Sequence, residues 1–109
     1  MKTKRLVRRQ GDVIIFKVEK LPEELPAKED DGVLAYGEVT GHAHRLDNTA
    51  KFEKFGKAEA AKQYLKVIEG GLTITHEEHA PIILPDGDYE IVKQREYNIV
   101  ERVARPVLD

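Results

Sequence analysis

The chain has 109 residues and contains no cysteine, serine or tryptophan. Disulfides, thiolate metal sites and cysteine or serine nucleophiles are therefore excluded, which leaves Thr, Lys, Tyr, Asp and Glu as side chains able to attack covalently. A formal net charge of −2 gives no global positive field for nucleic acid, and no apolar run approaches the roughly 20 residues that span a bilayer.

The length suits one domain over residues 1–109, and a hydrophobic fraction of 40% supplies one modest core. Charged residues make up 35%, against two Asn and three Gln, a balance in the direction seen in thermophile proteins. Residues 1–9, MKTKRLVRR, are basic, but no apolar stretch or small-residue cleavage site follows them. The expectation is a soluble cytoplasmic protein that does not enter a membrane.

Residues 1–9 read as a basic N-terminal arm or an edge strand. Lys2, Lys4, Arg5, Arg8 and Arg9 could contact phosphates, but charge that blunts a strand edge is the preferred reading. Gln10-Gly11-Asp12 is a turn signal. Residues 12–20, DVIIFKVEK, have the β-branched and aromatic content of a strand. Residues 21–32, LPEELPAKEDDG, read as an acidic, proline-containing loop.

In residues 33–46, VLAYGEVTGHAHRL, period-two geometry puts Leu34, Tyr36, Glu38, Thr40, His42, His44 and Leu46 on one face. The opposite face is small or apolar. Glycines at 37 and 41 predict two strands meeting near Gly41, or one long bent strand. Residues 47–63 have Phe52 and Phe55 as anchors. Within them, KAEAAKQ at 57–63 has helix propensity but lacks the length of a stable helix, so a loop or one helical turn is expected.

Residues 64–68, the Gly70-Gly71 pair and residues 72–75 predict a β-hairpin. Pro85-Asp86-Gly87 is a further turn. Residues 88–97 read as a strand, and residues 98–108 as a last strand or arm that Pro106 confines to an edge. Short strands between Gly/Pro turns predict an all-β, mainly antiparallel fold: a small barrel, roll or sandwich.

The chemistry-bearing residues are the histidines. His42 and His44 are two apart, so a strand would project both rings from one face, where they can share a metal ion. His76 and His79 are three apart, and both reach one ion only if the chain bends at Glu77-Glu78. On a straight strand, His76 and Glu78 would be the useful pair. Glu38 shares a face with His42, and Asp47 follows His44 closely.

The candidate ligand set is thus His42, His44, His76 and His79 with Glu38 and Glu78. Such mixed imidazole and carboxylate donors suit a divalent transition metal, without separating Zn, Fe, Mn and Ni. An ion with an open position would activate water or polarise an oxygen. HEEH is not the HExxH zinc-protease pattern, because its spacing differs and its segment does not read as helix. The competing reading is a polar pocket, or a hydrogen-bonding surface, without metal.

GEVTGHAHRL and THEEHAPIILPDGDYEIVKQREY resemble a family of small uncharacterised bacterial and phage proteins with GHxHR and HEEHxPI…LPxGxYE…QREY segments. That resemblance covers residues 33–97 and implies no particular activity. A weaker similarity is to cupins, small β-barrels with an HxH pair, in the placing of Gly37, His42 and His44. Asp47 stands where a cupin has Glu, and Pro85-Asp86-Gly87 follows His79 where the cupin order is reversed.

The expected function is a small β domain whose His-rich site binds a divalent metal or a polar ligand. The alternative is a non-catalytic accessory module that contacts protein or nucleic acid through Arg45, Arg95 and Tyr97. Assembly as a homodimer is compatible with either.

Overall fold

A computed structural model describes residues 4–36, 41–47 and 49–93. Strand β1 (Lys4–Gln10) turns at Gly11-Asp12 into β2 (Val13–Val18), with Gln10 opposite Val13. Gly11 takes φ 58°, the positive value that a tight two-residue hairpin turn demands. β1 is an edge strand of its sheet. The acidic loop contains a short strand, β3 (Lys28–Glu29), and β4 (Val33–Tyr36) follows it.

Next come β5 (Ala43–Leu46), β6 (Lys51–Phe55), β7 (Lys62–Glu69), β8 (Leu72–Thr75), β9 (Ile82–Leu84) and β10 (Gly87–Lys93). They form a six-stranded sheet, β1-β2-β10-β7-β6-β3, and a four-stranded sheet, β4-β5-β8-β9. The strand pairings among the described residues are antiparallel. Among the described residues there is no helix, and so none long and apolar enough to cross a membrane.

One core joins the sheets. Val13, Ile15, Leu65, Val67, Tyr89 and Ile91 come from the larger sheet, and Leu34, Ala35, Leu46, Leu72, Ile74 and Leu84 from the smaller. Burying a large aliphatic side chain here is worth about 1.5–3 kcal/mol. Ile14, Phe16 and Val92 make a second small cluster on the other face of the larger sheet.

The all-β expectation holds, with two local corrections. β7 and β8 do not pair with each other. β7 lies between β10 and β6, and β8 between β5 and β9, so Gly70-Gly71 is a corner where the chain changes sheets. Leu65 and Val67 on one strand and Leu72 and Ile74 on the other are all buried, and opposing sheets bury both sets where a two-stranded ribbon would not.

The expected loop at 57–63 is present as a reverse turn, in which the Ala60 N–H bonds the Lys57 carbonyl at 2.9 Å, and β7 starts at Lys62. The second correction concerns Tyr36, which is exposed although Leu34 is fully buried. A register shift between Val33 and Ala35 breaks the period of two. The strand over Lys51–Phe55 had no clear sequence signal. The expected continuation of the last strand beyond Lys93, and the arm at 98–108, lie outside the described residues.

Candidate functional site

The ladder between β5 and β8 builds the site. Leu46 opposes Ile74, and Arg45 opposes Thr75. The same register carried one residue further sets His44 opposite His76, and their ring centroids are 4.4 Å apart. His44 shares the inward face with Leu46 and is 1% exposed. His42 sits just before β5 yet reaches the same place, with its ring 5.7 Å from that of His76 at an interplanar angle of 89°.

β8 ends at Thr75, and the chain bends through residues 77–79. That bend brings His79 back, 4.7 Å from His76 and stacked at 6.3 Å on His44. The structure therefore brings together His42, His44, His76 and His79. Glu78 stands at the rim, its Oε2 3.7 Å from His42 Nδ1. Glu38, Arg95 and Tyr97 lie outside the described residues.

Glu77 holds the bend. Its Oε1 accepts the Ala43 N–H at 2.9 Å, and its Oε2 accepts from Arg45 Nη1. The Ala43 amide and the Arg45 guanidinium hold its carboxyl down at about 2. Arg45 Nη2 also donates to the Gly41 carbonyl at 3.0 Å. The side chain expected to contact a partner thus ties together the two histidine segments.

His76 titrates below the ordinary histidine range. Burial comes first among the causes, then the neighbouring His44 and His79, with Glu77 opposing them. Its Nδ1 accepts the Glu78 N–H at 3.0 Å. His42, His76 and Glu77 each offer a donor atom within 4.8 Å of the others, close to the spacing of a shared ion.

Two contributors came from a stretch read only as a turn. Gln10, 2% exposed at the end of β1, places Oε1 2.8 Å from His44 Nδ1. Asp12 places Oδ1 3.4 Å from His44 Nε2. No local pattern marks these residues, because the contact forms only when the sheets stack. The family Domain of unknown function (DUF8820) matches residues 9–94.

The chain belongs to this family. The DUF8820 match spans Gln10, Asp12 and all four histidines, so the whole arrangement lies within the domain. No curated protein and no solved structure matches the chain.

Proposed function

We propose that this DUF8820 domain binds one divalent first-row transition metal ion through its histidines. The observation that carries the reading is the convergence of four imidazoles from two chain segments, with neighbouring centroids 4.4–6.3 Å apart. Neutral imidazole is a preferred ligand of zinc, iron and nickel, and carboxylates at Glu77, Glu78 and Asp12 border the rings. Imidazole nitrogens with carboxylates beside them also favour a cation over an anion.

The test is metal analysis of protein purified without a histidine tag, followed by melting with and without chelator. About one ion per chain is expected, with a lower Tm on chelation. His44→Ala and His76→Ala should each weaken binding. Sub-stoichiometric metal with melting unchanged by chelator would remove the reading.

A specific observation supports a second reading, a polar contact surface without metal. Both Glu77 oxygens already accept hydrogen bonds, and His76 Nδ1 accepts from Glu78. Under that reading His76→Ala abolishes capture of a protein or nucleic-acid partner while no metal is found.

A further inference from the structure

The Gln10 amide group donates to two backbone carbonyls, Ile74 O and Ala80 O, each at 3.0 Å. Both amide hydrogens are thereby committed, and this settles which end of the amide is oxygen. Oε1 must be the atom that faces His44 Nδ1, at 2.8 Å. An amide oxygen only accepts, so His44 Nδ1 must carry a proton. In the neutral ring the lone pair then lies on Nε2.

Nε2 faces the Asp12 carboxylate at 3.4 Å. Two donor atoms bound at about 2.0–2.1 Å in a tetrahedral shell stand roughly 3.4 Å apart, so this spacing already fits one shared ion. A metal-binding histidine typically donates its other ring N–H to an acceptor that fixes the tautomer, and Gln10 occupies that place.

The alternative set, His42, His76 and Glu77, is less prepared. His76 Nδ1 holds a lone pair against the Glu78 N–H, so in the neutral ring the proton is on Nε2. Coordination through Nε2 would require the other tautomer and the loss of that bond.

Resting on the metal reading above, we infer that His44 Nε2 and the Asp12 carboxylate are two of the ligands that hold the ion, with Gln10 as the positioning residue that presents Nε2. Asp12 is a ligand in this assignment, and Gln10 acts only through His44.

The test uses the untagged full chain. Long-range proton–nitrogen NMR of the metal-free protein reads the His44 tautomer, and calorimetric titration with Zn2+ reads affinity. The wild type is expected to show His44 protonated at Nδ1. Gln10→Met should lose that preference and weaken Zn2+ about tenfold or more. Asp12→Asn should weaken Zn2+ at least as much while leaving the Nδ1 proton of His44 in place.

A His44 ring that carries no proton at Nδ1 overturns the assignment. So does Zn2+ binding by Asp12→Asn at wild-type affinity. If the wild type takes up no Zn2+, the metal reading fails and the ligand assignment goes with it. Tight wild-type binding that both variants retain overturns this inference alone.

Discussion

A Cβ added to Gly11 would stand 2.8 Å from Nε2 of His79 and 3.4 Å from Cε1 of His44. The hairpin turn and the histidine rings therefore meet where a side chain is missing. Gly11 also holds φ 58°, a conformation L-residues adopt at a cost. Gly11→Ala is expected to destabilise the fold by more than about 1 kcal/mol and to displace His79.

The steric and conformational parts of that cost are separable. In the Gly11→Ala/His79→Ala double variant the clash is gone and the backbone strain remains. The double variant should therefore be more stable than the sum of the single changes predicts, by about 0.5 kcal/mol or more. Denaturant melts of the four proteins check this, and strict additivity would show that the Cβ never meets the ring.

Acid should loosen the site from its bend. Glu77 has a folded carboxyl at about 2 against an ordinary 4.5, so it binds its proton less readily when folded. Its contribution to stability is complete above the ordinary value and is lost as pH falls from 4.5 towards 2. His76 is lowered too, so unfolding takes up a proton there as pH drops through the ordinary histidine range. Both effects have one sign, and metal-free protein should melt lower as pH falls.

Two variants separate these contributions. Glu77→Gln should flatten the dependence below 4.5, and His76→Ala the part around 6.5. Melting curves at closely spaced pH values read both. A Tm that rises on acidification from 7 to 5 would contradict the placing of His76.

Arg45 was named on sequence grounds as a possible partner contact, and its side chain also makes internal contacts. It joins Glu77 and the Gly41 carbonyl, one on each histidine segment. Arg45→Gln should lower the Tm and weaken metal uptake together. Arg45→Lys should recover little, because a single ammonium cannot reproduce the forked donation. A Tm and metal uptake both unchanged in Arg45→Gln would contradict this bracing role.

The sequence disclosed strand content and the histidines, but not what aligns them. Residues 13–18 read as a strand because Val, Ile and Phe crowd together, and His42 and His44 read as a pair from spacing alone. The bend at Glu77-Glu78 appeared only as a condition, because it depends on Arg45 from another strand. Gly70-Gly71 carries the same local signature for a hairpin and for a corner between sheets. Only the burial of Leu65 with Leu72 across one core separates the two. Gln10 carried no signal, since its partners Ile74 and Ala80 are more than 60 residues away.

Lys54 gives a prediction away from the histidines. Its side chain is fully buried on β6, donating to the Gly56 carbonyl at 2.6 Å and pairing with Asp31 Oδ1 at 3.2 Å. Asp31 is 41% exposed, so it recovers its water if the lysine is removed. The buried ammonium does not recover its own if the carboxylate is removed. Replacing a buried ion by a hydrophobic side chain of similar length is often neutral or stabilising, whereas removing its partner is costly. Lys54→Met should change stability by less than about 1 kcal/mol, and Asp31→Asn should cost about 1–3 kcal/mol. Urea titrations compare the two. A Lys54→Met loss exceeding that of Asp31→Asn would mean that Lys54 holds the end of the sandwich by its charge, not by its length.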